Sequence, residues 1–218
     1  MKITPEALAA RKSAKKKILL ATAYSCREAN FLDRAGRVDG LLVADAVGLV
    51  DLGYGNPLAV TLEEMLHHTK AVSRAKTRAL VIADMPYLTY EFSPTEAARN
   101  AGRLLKEGGA GAVRVKGGLK ILSSIEEILR TKVPVVAHLS YKKAAERQTP
   151  AEAKRLSEAG CFAVVLEDFP APLVKEITRG VTAVTIATSS ALHADGRLVF
   201  TEELINKKLK SLYQTLFL

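Results

Sequence analysis

The chain reads as a single α/β domain, a (β/α)8 barrel of the TIM type, on three observations. Short β-branched runs alternate with longer amphipathic segments, the pattern of βα units around a parallel sheet. Eight such runs occur along 218 residues, slightly short of the ~250 usual for this barrel. The first run is not followed by a glycine fingerprint, which leaves a doubly wound sheet as the runner-up. No linker or low-complexity stretch divides the sequence, so residues 1–218 are expected to form one barrel domain with a short basic segment, 1–16, at its start.

In order, the strand candidates are KILLATAY (17–24), GLLVADA (40–46), RALVIADM (78–85), GAVRVKG (111–117), PVVAHLS (134–140), CFAVVLED (161–168), VTAVTIAT (181–188) and GRLVF (196–200). The intervening helices are expected over 26–36, 61–76, 93–108, 119–132, 149–160 and 171–180, with a last one over 201–217. Ser93 before Pro94, with Glu96 three residues on, has the form of a capping box with proline in the first turn, and Thr149-Pro150-Ala151-Glu152 repeats it. Gly36, Gly108, Gly160 and Gly180 stand where helix C-caps belong.

Composition narrows the functional classes. At 48% hydrophobic and 25% charged the chain has an ordinary globular balance, and no apolar run is long enough for a membrane span. Cys26 and Cys161 form no CxxC, so neither a disulfide framework nor a thiolate metal site is suggested, and a cytoplasmic location is the expectation. The net charge of +9 is spread over the helices without aromatic interleaving, which argues against nucleic acid as a partner; the dense run KSAKKK (12–17) reads as a solvated tail. Asn and Gln are scarce beside Lys, Arg and Glu, a bias seen in thermophilic proteins.

The strand ends carry the chemistry. Alternation places Leu41, Val43 and Asp45 on one face, as it does Leu80, Ile82 and Asp84; Ala112, Arg114 and Lys116; Val136 and His138; and Ala163, Val165 and Glu167. Each apolar file ends in an ionisable group at the C-terminal end of its strand, where a parallel barrel has its catalytic mouth. One such residue is ordinarily a helix cap or a hydrogen-bonded core group; five consecutive strands ending this way point to a site, because clustered buried charges must pair or hold an ion. Two carboxylates on neighbouring strands suit a hard cation such as Mg²⁺, which a 2-keto acid could chelate while a C3 proton leaves to Glu167 or His138. His67 and His68 lack a further ligand at helical spacing and read as packing and surface.

The segments TAY (22–24), LLVADAVGL (41–49), LGYGNPLAVTLEEMLHHTKAVSR (52–74), LVIADMPYLTY (80–90), AVRVKGG (112–118), PVVAHL (134–139) and VVLEDFP (164–170) resemble those of the ketopantoate (3-methyl-2-oxobutanoate) hydroxymethyltransferase family, within the phosphoenolpyruvate mutase/isocitrate lyase group of barrels. The resemblance implies a Mg²⁺-dependent transfer of a hydroxymethyl group from 5,10-methylenetetrahydrofolate to 3-methyl-2-oxobutanoate, giving 2-dehydropantoate on the route to pantothenate and coenzyme A. By position it implies Asp45 and Asp84 as metal ligands that also face substrate, His138 as a substrate contact and Glu167 as the catalytic base. It also implies a homo-oligomer.

The chain departs from that family at informative places. Ala46 stands where the family has a serine that contacts substrate, Arg114 where it has a substrate-binding lysine, and Lys116 where it has a metal-associated glutamate. The glycine-rich segment after the fifth strand is shortened to SYKKAAERQ (140–148), and the loop after the seventh reads IATSS (186–190). Two roles are open for Lys116: an ammonium that offsets Asp45 and Asp84 and replaces part of the metal's role, or a Schiff-base nucleophile. Two functional alternatives follow from the same departures: another 2-keto-acid lyase or aldolase, or a non-catalytic binding or assembly protein.

Overall fold

The computed structural model describes residues 2–36 and 38–201. Eight parallel strands, β1 (Ile18–Thr22), β2 (Gly40–Val43), β3 (Leu80–Asp84), β4 (Ala112–Lys116), β5 (Val135–Ser140), β6 (Ala163–Glu167), β7 (Val184–Ala187) and β8 (Gly196–Val199), close in sequence order into a barrel. Around them lie α1 (Pro5–Ser13), α2 (Cys26–Arg34), α3 (Val47–Val50), α4 (Leu62–Ser73), α5 (Pro94–Lys106), α6 (Leu122–Arg130), α7 (Thr149–Glu158) and α8 (Ala171–Gly180). None of the described helices is long and apolar enough to cross a membrane.

Buried on both faces, the strands are apolar almost throughout, as a parallel sheet covered by helices requires. Register fixes which side chains fill the interior. Paired residues point the same way, and the pairs Leu20–Gly40, Leu42–Ile82, Asp84–Arg114, Lys116–His138 and Ser140–Glu167 trace one face around the barrel. On that face Gly196 leaves room for its neighbours: a Cβ there would lie 2.6 Å from the Ile18 carbonyl oxygen and 2.6 Å from Ile186 Cδ1. Gly196→Ala is therefore expected to lower stability by about 1–3 kcal/mol, read as a lower urea midpoint at unchanged slope.

The β7–β8 connection, over which no helix was expected, holds a 3-10 turn at Ala191–His193. The helix expected over 201–217 lies, apart from Thr201, outside the described residues. One expectation is corrected: within the basic segment 1–16, Pro5–Ser13 folds as α1, capped by Thr4 and anchored by buried Leu8, so that Lys12 of the run read as a solvated tail belongs to a helix. Its cations serve the strand starts: Lys12 Nζ meets Asp195 at 2.9 Å and donates to the Ala183 carbonyl at 2.7 Å, while Arg11 meets Asp39 at 2.9 Å.

The caps are corrected in part. Ser93 accepts the Glu96 N–H as expected, but α7 starts a residue early, at Thr149 itself; its hydroxyl donates to Ala145 O, and Glu152 accepts from Leu119 N–H instead. Gly36 and Gly160 take the positive φ of a C-terminal cap, whereas Gly109 does so in place of Gly108, and Gly180 remains within α8.

Candidate active site

The inward face of β3, β4 and β6 ends in an ionisable group and that of β5 carries His138 just before Ser140, and cross-strand register joins them. Arg114, directly opposite Asp84, donates to it through Nε (2.5 Å) and Nη2 (2.7 Å). The pair is sealed from water, with side chains 5% and 1% exposed. Burial works to raise Asp84, but the charges of Arg114 and Lys116 outweigh it and hold the carboxyl well below the usual range.

Asp45 arrives by a different route from the one alternation suggests. Leu41 pairs with Val81 and Val43 with Ala83, so that file faces the helices, opposite to Ile82 and Asp84. β2 stops at Val43, and the turn into α3 carries Asp45 back to the mouth, its N–H donating to Asp84 Oδ2 at 3.0 Å. Lys116 Nζ then donates to both Asp45 oxygens, at 2.6 and 2.7 Å, and lies 3.8 Å from Asp84 Oδ2. Burial and the Asp84 charge raise the Asp45 pKa, only partly offset by Lys116. Ala46, at the start of α3, offers no side-chain hydrogen bond.

On the other side of the mouth, His138 Nε2 lies 3.1 Å from Glu167 Oε2, and the Ser140 hydroxyl donates to the same oxygen at 2.6 Å. Burial, reinforced by Arg114, lowers the His138 pKa against the opposing pull of Glu167. A neutral ring has one N–H; placing it on Nε2 serves Glu167 and leaves buried Nδ1 as an acceptor without a partner among the described residues. The His138 bond first, then Ser140, hold Glu167 down to about 2 against partial burial.

Lys116, His138 and Ser140 line a cavity of about 390 Å³, as do Gly117 and Gly118. Those glycines take φ of 131° and 60°, which turns the chain beyond Lys116. A larger hollow of about 880 Å³, lined by Arg11, Lys17, Asp39 and Arg78, lies towards the strand starts, away from this ring.

Two residues of the site escape a reading by ionisable strand ends. Tyr90, in the loop after β3, donates its hydroxyl to the Lys116 carbonyl (2.9 Å) and accepts the Lys116 N–H (3.2 Å), fixing the stem of that lysine. Ser140 was legible by its position, two residues beyond His138 on the same face. His67 is exposed, and His68 Nδ1 meets the Tyr24 carbonyl at 2.8 Å, so neither belongs to the site.

The side chains present do not fit a divalent cation. Asp84 has both oxygens taken by the Arg114 fork, and Asp45 has both taken by Lys116. The four charges sum to zero, so little electrostatic gain is left to offset the dehydration of Mg²⁺. Among the described residues no group of three or more His, Cys, Asp or Glu could hold a metal ion. Contact with Asp45 also occupies the Lys116 nitrogen that a Schiff base would use.

A closed parallel barrel with its ionisable groups gathered at the strand C-termini defines a (β/α)8 barrel with an enzyme-like mouth. Its backbone is similar to that of phosphoenolpyruvate phosphomutase from Streptomyces platensis subsp. rosaceus (TM-score 0.75, 16% identity, covering 98% of this chain and 86% of that one). It is also similar to 2,3-dimethylmalate lyase, a PEP mutase/isocitrate lyase superfamily member (TM-score 0.74, 14% identity, covering 98% and 86%).

Sequence then narrows the class. The profile of the ketopantoate hydroxymethyltransferase family matches residues 2–213. The chain is 41% identical to the 3-methyl-2-oxobutanoate hydroxymethyltransferase of Pyrobaculum calidifontis, over 87% of this chain and 77% of that protein. It is 39% identical to the enzyme of the same name from Syntrophus aciditrophicus, over 94% and 80%. The chain belongs to the ketopantoate hydroxymethyltransferase family.

Proposed function

We propose that the chain transfers a hydroxymethyl group from 5,10-methylenetetrahydrofolate to C3 of 3-methyl-2-oxobutanoate, giving 2-dehydropantoate for pantothenate and coenzyme A synthesis. Family membership supports the reaction, and the observation that carries the chemistry is Glu167: an ionised carboxylate at the end of β6, held by His138 and Ser140, two residues that line the cavity together with Lys116.

Glu167 is the base. The C3–H bond breaks, its proton passing to Oε of Glu167 and its electron pair forming the enolate; water cleaves the two N–CH2 bonds of the folate, releasing formaldehyde and tetrahydrofolate, C3 bonds to the formaldehyde carbon, and the resulting alkoxide takes the proton back from Glu167. Buried His138 holds one Glu167 oxygen in place, while exposed Ser140 donates to that same oxygen and is the contact that an entering substrate can displace. Losing that hydroxyl raises the proton affinity of Glu167 when the C3 proton must be taken. Asp84 and Arg114 form the rigid floor beneath.

Incubation with both substrates and mass detection of 2-dehydropantoate tests this reading. Product at a rate set by enzyme concentration is expected. Exchange of the C3 proton without product would instead favour a 2-keto-acid lyase or aldolase, the reading that the shortened segments 140–148 and 186–190 support.

Self-association is part of the proposal. The connections after β2 and β3, α3 included, expose Leu49, Val50, Leu58, Tyr87, Leu88 and Phe92, the last at 81%, apolar side chains that a second copy would cover. A cytoplasmic setting accords with the free thiols of Cys26 and Cys161.

A further inference from the structure

We propose that the Lys116 ammonium takes the place of a divalent cation in this site, receiving the keto oxygen of a 2-oxo acid directly, so that the chain binds its keto acid without metal. The inference rests on the keto-acid reading above and extends it to how the substrate is held.

The geometry distinguishes the two cations of the ring. Arg114 is spent on Asp84 and buried at 5% exposure, whereas Lys116 is 36% exposed and lines the cavity. An ammonium has three N–H donors. Two reach the Asp45 oxygens, and Asp84 Oδ2, at 3.8 Å, is too far for a hydrogen bond, so the third is left for a ligand in the cavity. Tyr90 clasps the Lys116 backbone at both its N–H and its carbonyl, so the base of the side chain is fixed before any ligand arrives.

Such a group does what an oxyanion site requires. When the C3–H bond breaks and its proton goes to Glu167, negative charge develops on the C2 oxygen; the Lys116 N–H donates to that oxygen more strongly in the enolate than in the ketone, and stays on nitrogen. The Asp45 carboxylate positions the ammonium. Its own charge is already offset by Lys116, as that of Asp84 is by Arg114, which leaves a neutral quartet with no vacancy for a second, divalent charge.

Calorimetric titration of the full chain with 3-methyl-2-oxobutanoate in excess EDTA, paired with Mn²⁺ titration followed by electron paramagnetic resonance, tests the proposal. The keto acid is expected to bind in EDTA, with affinity lowered about ten- to hundred-fold in Lys116→Met, the loss of one hydrogen bond from a charged donor. Equimolar wild-type chain is expected to leave the free Mn²⁺ signal undiminished.

Stoichiometric Mn²⁺ binding by the wild type would overturn the proposal whatever the variant does. So would keto-acid binding that requires added metal, an absence of binding under both conditions, or a borohydride-trapped adduct on the Lys116 peptide. Metal-free binding with no 2-dehydropantoate formed would leave this inference standing and remove the hydroxymethyl-transfer reading instead.

Discussion

Glu167→Gln is expected to slow exchange of the C3 proton of 3-methyl-2-oxobutanoate by about 10²–10⁴-fold, the usual contribution of a positioned general base. The amide keeps the size of the side chain and can still accept from His138, so substrate affinity should change little and the loss should fall on the catalytic rate. The pH profile adds a sign. Glu167 sits at about 2 because His138 and Ser140 both donate to it, so the wild-type rate should show no loss of this base between neutral pH and pH ~4. Ser140→Ala removes one donor, which raises the Glu167 pKa and moves the acid limb upward. A wild-type limb near neutrality, unmoved in Ser140→Ala, would assign the base to another group.

The second large effect is structural. Arg114→Met leaves Asp84 buried without its cation, and breaking such a pair costs about 3–5 kcal/mol. For a chain of this length that corresponds to a fall in Tm of roughly 6–20 °C. The companion change Asp84→Leu in the Arg114→Met background should recover most of the loss, because no unpaired charge remains. The pH dependence follows from the Asp84 shift: its folded pKa is depressed, so the pair contributes stability above the ordinary carboxylate value of ~3.9 and loses it as pH falls towards the folded value. Wild type and Arg114→Met should therefore differ most above pH ~4 and converge in acid. Thermal melts across that range check this, and a constant difference would mean that Arg114 acts through packing of its stem.

These two variants separate what was legible in the sequence from what was not. The barrel was legible because parallel strands covered on both faces read as unbroken apolar runs, and the ends of β3 to β6 because a two-residue period carries each file to its last residue. The partnerships were not legible. That Arg114 clasps Asp84 depends on Asp84 lying opposite Arg114 across β3 and β4, a register that only the closed barrel sets. Asp45 was found for an incomplete reason: alternation continued past Val43, where β2 had already ended, and a turn brought the carboxylate to the mouth. α1 was missed because its single buried apolar residue, Leu8, gives no helical stripe, while its cations find their carboxylates only at the strand starts.

The same limit applies to the metal. Two carboxylates on adjacent strands read as a cation site, and the sequence also shows Arg114 and Lys116 two positions apart; only three dimensions show each cation seated on one carboxylate. Family membership and these side chains thus lead to a specific picture, a ketopantoate-type enolate site in which lysine supplies the positive charge.

Proton NMR of 3-methyl-2-oxobutanoate in D₂O, with enzyme and excess EDTA, tests that picture most directly. Loss of the C3 proton signal at a rate proportional to enzyme, unchanged by saturating Mg²⁺ and slowed about 10²–10⁴-fold in Glu167→Gln, is the predicted result. Exchange that begins only when Mg²⁺ is added, or none under either condition, would contradict it.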